Sequence, residues 1–151
     1  MPADSDVDLP RTWRPLGVRL AAVIFGGALL VVCIAAWLAF DAETRARFNI
    51  LQRVTLVGFG LIGFAAFFAL VRSRVVAETD RLVVVNGYRR HEYEWPQIVA
   101  ARLPPGAPWV TLDLADGETA SVLAIQGSDG NRARTALREL KSLVAAASAA
   151  P

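Results

Sequence analysis

The run RLVVVNGYRRHEYEWPQI, Arg81–Ile98, decides the fold. An aliphatic stretch, Leu82-Val83-Val84-Val85, meets Asn86-Gly87, and a second strand-length stretch returns from Tyr88 to Trp95. Asn and Gly tolerate the positive φ that tight hairpin turns require, so this dipeptide between two such runs predicts a β-hairpin. With Asn86 and Gly87 as the loop residues, Val85 faces Tyr88, Val83 faces Arg90 and Arg81 faces Glu92 on one side of the ladder. Leu82, Val84, His91 and Tyr93 share the other side, which is the expected core face. Pro96 cannot donate to a central ladder, so Trp95-Pro96 ends the strand.

Downstream, Ile98–Leu103 begins another strand, and Pro104, Pro105, Gly106 and Pro108 form a rigid loop. Trp109–Leu114 (WVTLDL) alternates, Ala115-Asp116-Gly117-Glu118 turns, and Thr119–Ile125 returns. Upstream, Val75-Val76 is strand-like and Glu78-Thr79-Asp80 links it to Leu82. Five to seven strands are expected. The period then changes: Ala133, Leu137, Leu140 and Val144 recur at helical spacing, with Arg134, Arg138 and Lys141 turned away. Ser128 or Asp129 is the expected cap of that helix. Residues 72–147 thus read as a small α+β domain, an open barrel or curved sheet plugged by its last helix, with a short tail at 148–151.

The rest of the chain is far oilier. Of 151 residues 54% are hydrophobic and only 20% charged, and 16 Lys+Arg against 14 Asp+Glu leave +2, which excludes a dedicated nucleic-acid binder. A lone cysteine and a lone histidine exclude a disulfide scaffold and a zinc module. Leu20–Phe40 contains no charge. As a helix it spans about 31 Å, matching a hydrocarbon core of about 30 Å. Val54–Val71 is a second uncharged run, and the connection between them carries Asp41, Glu43, Arg45, Arg47 and Arg53, which a bilayer interior excludes. The predicted division is a disordered tail at 1–15, a transmembrane helix at 16–40, a loop at 41–53 and a second transmembrane helix at 54–71. Arg11, Arg14, Arg19, Arg72, Arg74 and Arg81 flank this hairpin, against Arg45, Arg47 and Arg53 in its loop, so the positive-inside rule places both termini in the cytoplasm of a plasma-membrane protein. A cleaved signal peptide fits less well, because the run is too long and ends without a small-residue cleavage site. Trp13 and Trp37 sit where an aromatic belt is expected.

The string above, followed by APWVTLDLADGET and AIQGSDGNRARTALRELKSLV, resembles the bacterial pleckstrin-homology-like (PH-like) family known as the low-molecular-weight protein antigen PH domain. The resemblance covers the chain from Arg74 onward and rests chiefly on Trp95-Pro96-Gln97-Ile98 and Gly127-Ser128-Asp129-Gly130-Asn131-Arg132-Ala133. It implies two roughly orthogonal antiparallel sheets with a C-terminal helix, following a pair of membrane helices. PH domains that bind phosphoinositides are similar to one another in a basic first strand-to-strand loop. Glu78-Thr79-Asp80 is assigned to that place here and argues against such binding.

No residue set reads as catalytic. GFGLIG, Gly58–Gly63, matches a dinucleotide fingerprint in letters but lies inside an uncharged membrane run; helix packing through Gly58, Ala65 and Ala69 against Ala22 and Gly26 is the better reading. His91 has Glu92 and Glu94 nearby in sequence, yet strand alternation points both away from it. No enzyme, cofactor or metal site is expected. The functional candidates are Arg72, Arg74, Arg81, Arg89 and Arg90 as membrane-surface contacts, because anionic head groups attract juxtamembrane basic residues; the plainer reading is topology plus cross-strand ion pairs. The expected function is a membrane-anchored interaction module that recruits or scaffolds a protein partner. Its rivals are anionic lipid sensing and a structural homo-oligomer.

Overall fold

The computed structural model describes residues 7–149. Two long helices are followed by two antiparallel sheets and a C-terminal helix, and the sheets are not closed into a barrel. Helix α1 (Leu16–Ala39) and helix α3 (Ile50–Arg72) are each long and apolar enough to cross a membrane, and neither buries a residue within the protein. A short helix, α2 (Ala42–Arg47), lies between them, capped by the Asp41 side chain. Asn49 and Gln52 form a reciprocal capping box at the start of α3, so that helix begins four residues before the uncharged run does.

One sheet orders its strands β1-β2-β3-β4, namely Arg11–Trp13, Arg74–Ala77, Arg81–Asn86 and Arg89–Glu94. The other orders β5-β6-β7, namely Ile98–Arg102, Trp109–Leu114 and Thr119–Gln126. Helix α4 (Asn131–Ala149) packs Ala133, Ala136, Leu140, Leu143 and Val144 onto the core, which also holds Val75, Leu82, Val84, Ile98, Leu112 and Val122. All six strands expected downstream of Arg72 are present. A seventh lies where a tail was expected: Arg11, Thr12 and Trp13 pair antiparallel with Ala77, Val76 and Val75. Of the tail assigned to 1–15, residues 1–6 lie outside the described residues, and 11–13 are an edge strand. Trp13 is therefore not in an aromatic belt. It is a core residue, 8% exposed, whose indole N–H donates to Glu139 of α4 at 2.8 Å. Three residues are too few to show a period, which is why the strand escapes sequence reading.

Because β1 and β2 are neighbours, everything from residue 14 to 73, including both long helices, is an insertion between two adjacent strands of the domain. The chain leaves the sheet and returns to it on one side.

The central hairpin has a register different from the expected one. Asn86 pairs with Arg89 and Arg81 with Glu94, so Gly87 and Tyr88 are the loop residues. Gly87 has φ +62 and, among the described residues, no non-glycine residue has positive φ, which selects the turn with glycine first rather than the one that needs both positions positive. Asn86 stays extended because its side chain is used elsewhere: its amide donates to the Ser121 carbonyl at 2.6 Å and accepts from the Leu123 N–H at 3.1 Å, joining the two sheets. The pairing slips by two residues, a whole side-chain period, so the faces are unchanged, and Leu82 and Val84 enter the core while opposite them Tyr93 is half-buried and His91 exposed.

Candidate interaction surfaces

The domain is bolted to both long helices. Asp129, expected to cap α4, instead turns its carboxylate to the start of α1, accepting from the Leu16 N–H at 3.0 Å and the Gly17 N–H at 2.8 Å. Those donors have no intrahelical partner, and Pro15 ahead of them has no capping side chain. Helix α4 starts instead after Gly130, whose φ of 58 and ψ of −119 suit glycine alone. Arg19 donates to the Val71 carbonyl at 3.2 Å, tying α1 to the end of α3. On the other side, buried Ser73 donates to the Ala69 carbonyl and accepts from the Gly87 N–H at 3.0 Å. The Tyr88 hydroxyl reaches back to the Ala65 carbonyl at 2.9 Å. Ala69 meets the hairpin turn, and the space beside Gly26 and Gly58 is open, so neither glycine makes the close approach expected of it between the two helices.

Removing the Asp129 clamp tests this arrangement. Asp129→Ala is expected to destabilise the protein by about 1 kcal/mol, the usual cost of an N-cap. Gly17→Ala should reproduce part of that loss, since a Cβ there would lie 2.8 Å from the Asp129 Oδ1. Urea midpoints of the two variants and their double should show that the losses do not add, because one contact is broken twice.

The two motifs carrying the resemblance are structural. Trp95 is buried and donates its indole N–H to the Glu78 carbonyl at 3.0 Å, while Gln97 accepts from the Glu94 N–H at 2.9 Å across a single 3-10 turn. Gly127 donates its N–H to the Pro108 carbonyl at 2.9 Å, and a Cβ there would stand 2.6 Å from the Ala107 carbonyl oxygen. Only glycine lets the 104–108 loop approach so closely.

The five arginines singled out as membrane contacts separate into two groups. Arg72 ends α3, Arg74 opens β2, and Arg89 and Arg90 begin β4, all exposed at the end of the domain that meets α3. Arg81 lies at the far end of β3, about 17 Å away at about 3.3 Å per residue. It is occupied there by Asp80 at 2.6 Å and Glu92 at 2.9 Å, and Arg90 also pairs with Glu92. The Arg81 guanidinium holds the Asp80 and Glu92 carboxyls below their usual range, with Arg90 adding to the effect at Glu92. Carboxyls depressed on folding stabilise above their unfolded pKa, and that contribution disappears as the pH falls through the depressed values. The groups are exposed and salt screens them. Arg81→Ala should therefore lower the melting temperature slightly at neutral pH and low salt, and not at all at acid pH or in high salt.

Between β4 and β7, each the last strand of its sheet, lies a groove of about 870 Å³. His91, Glu92 and Tyr93 line one wall and Thr119, Ala120 and Ser121 the other, with Asp116 and Glu118 at one end. Among the described residues no lysine or arginine lines it. His91 and Tyr93 stack with ring centroids 6.3 Å apart, and burial, then Glu118 and Asp116, push the Tyr93 phenol up. His91 has no hydrogen-bonded carboxylate among the described residues, and no group of three or more His, Cys, Asp or Glu there could hold a metal ion. Sequence reasoning missed this groove because it depends on which strands end up at the sheet edges.

The bacterial PH domain family matches residues 72–142. Uncharacterized proteins of Mycobacterium tuberculosis (strain ATCC 25618 / H37Rv) and Mycobacterium bovis (strain ATCC BAA-935 / AF2122/97) are each 30% identical over 150 residues, covering 95% of this chain and 92% of theirs. No solved structure matches. The similarity to those proteins therefore runs through the inserted helices as well as the sheets, and family members are generally non-catalytic. With the two unclosed sheets, the motif residues at their joints, a family match spanning β2 to β7, and relatives 30% identical over nearly the whole chain, the chain belongs to the bacterial PH domain family.

Proposed function

We propose that this is a two-pass plasma-membrane protein whose helical hairpin holds a non-catalytic PH-like module at the cytoplasmic face, where the groove between β4 and β7 receives an extended, basic segment of a protein partner. The observation that carries the reading is the pair of sheet-edge strands lining that groove, β4 and β7, with the β7 edge engaged by the Asn86 side chain at Ser121 and Leu123. Edge strands leave alternate N–H and C=O groups unpaired, and adding a strand is a recurrent mode of peptide recognition. The acidic lining favours a basic occupant. Charged residues along β4 keep that edge from pairing indiscriminately, which suits a site that accepts one partner. Arginines flanking the helices, more numerous than those in the 41–53 connection, support cytoplasmic termini.

Photocrosslinking in native membranes tests the reading. A photoreactive residue at Thr119 should give a discrete heteromeric adduct that is absent when the same group sits at Lys141 on the outer face of α4 and weakened by Asp116→Lys/Glu118→Lys. Adducts only with the protein itself would favour the oligomer reading, and no adduct at either position would end the groove proposal.

A second reading, lipid sensing by the anchor-end arginines, is favoured by the hairpin tip. Tyr88 bonds Ala65, about 10 Å along α3 from Arg72 at 1.5 Å per residue, which carries Arg89 toward the level of the head groups.

A further inference from the structure

On the opposite side of the domain from the peptide groove, a cleft of about 590 Å³ opens where the β1–α1 junction meets the first turns of α4. Arg11, Arg14, Arg19 and Arg132 line it, over a floor that includes Trp13, Pro15 and Ile125. Its volume lies within the range of ordinary ligand sites. None of these arginines except Arg19 and Arg11 is engaged. Arg11 is fixed by Glu139 at 3.2 Å, and Arg19 by the Val71 carbonyl. Arg14 and Arg132 have neither an ion pair nor a side-chain hydrogen bond among the described residues.

The two carboxylates in the lining, Asp129 and Glu139, leave the four arginines in excess. Asp129 already accepts the Leu16 and Gly17 N–H groups, and Glu139 already accepts Trp13 and Arg11. Two fixed and two unengaged guanidinium groups therefore face a partly apolar cleft. Guanidinium forks match phosphate oxygens in geometry as well as charge. The location specifies the kind of phosphate. Leu16 begins α1, and Arg19 joins α1 to the last turn of α3, so the cleft stands where both helices leave the domain.

We propose that this cleft binds the phosphate of an anionic membrane lipid, with Arg14 and Arg132 as the engaging residues, Arg11 and Arg19 as the preset ones, and the apolar floor against the glycerol and upper acyl chain. The site is separate from Arg72, Arg74 and Arg89. It rests on the reading that α1 and α3 cross a bilayer but not on the peptide groove, so either can fail alone. A lipid held there would contact β1, α1 and α4 at once.

The full-length protein purified in mild detergent, presented with phosphatidylglycerol and phosphatidylcholine, is read by native mass spectrometry for retained lipid. Wild-type protein should retain one phosphatidylglycerol in preference to phosphatidylcholine. Arg14→Gln/Arg132→Gln should weaken retention about thirtyfold, at about 1 kcal/mol per basic residue. Arg72→Gln/Arg89→Gln should leave it unchanged. Arg14→Lys/Arg132→Lys, which keeps the charge and guards against a folding defect, should be intermediate because the bidentate fork is lost. Excess glycerol phosphate should not displace the lipid. Equal retention in the Arg14/Arg132 double variant, equal loss in both double variants, or displacement by glycerol phosphate at matched concentration would each overturn the proposal.

Discussion

A chain beginning at residue 74 is expected to lack a cooperative unfolding transition, whereas the same fragment with residues 7–14 joined ahead of Arg74 by a two-residue Asn-Gly turn is expected to fold without either long helix. The geometry permits the graft because Trp13 and Val75 are already paired, so the insertion can be replaced by a hairpin loop. Without β1, Val75 and Ala77 lose their cover on an edge strand, and Glu139 loses the indole and guanidinium it holds. Trp13 alone sets the scale. Replacing a buried Trp by Ala costs about 3–5 kcal/mol, against a total of about 5–15 kcal/mol for a domain. Trp13→Ala in the full-length protein should lower the urea midpoint by a corresponding amount. If residues 74–149 alone unfolded at the same midpoint as the grafted chain, β1 would be an ornament rather than part of the domain.

That dependence marks the limit of what the amino-acid order discloses. The six strands from Arg74 to Gln126 are long enough to show runs and turn dipeptides, and α4 is long enough to show its period. β1 is three residues long and separated from its partner by three helices, so nothing local announces it. The place given to Glu78-Thr79-Asp80 fails for the same reason. With β1 counted, that turn is the second strand connection, and the first is the helical hairpin itself.

The hairpin register illustrates a second limit. Asn86-Gly87 is correctly a turn signal, but Asn86 is drawn out of the loop by its two bonds to β7, a tertiary demand invisible in the dipeptide. The two-fold alternation of a strand absorbs the change, so the faces were legible even though the pairs were not. Among the candidate site residues, charge alone could not separate Arg81, consumed by Asp80 and Glu92, from Arg89 at the anchor end. Nor could it distinguish Arg14 and Arg132, which sit far apart in sequence and share one cleft only after α4 docks beside β1.

The docking of α4 is the second point at which a single change should have a large effect. Leu140 is fully buried, in the middle of a stripe formed by Ala133, Ala136, Leu143 and Val144. An isolated helix of such length is marginal in water, so its order comes from this face. Leu140→Ala removes three heavy atoms from a site closed by β5 and the Trp95 turn and should cost about 2–5 kcal/mol, because such a pocket collapses only in part. Leu137→Ala, one turn earlier at a half-exposed position, should cost clearly less. The loss at Leu140 should also spread. Glu139 is its neighbour on α4 and holds Trp13, so loosening the helix releases β1 and with it the strand that closes the anchor insertion. Protease cleavage near residues 7–15 in membranes should therefore rise in Leu140→Ala and not in Leu137→Ala. A Leu140→Ala protein that resisted cleavage like wild type would show that β1 is held by β2 alone.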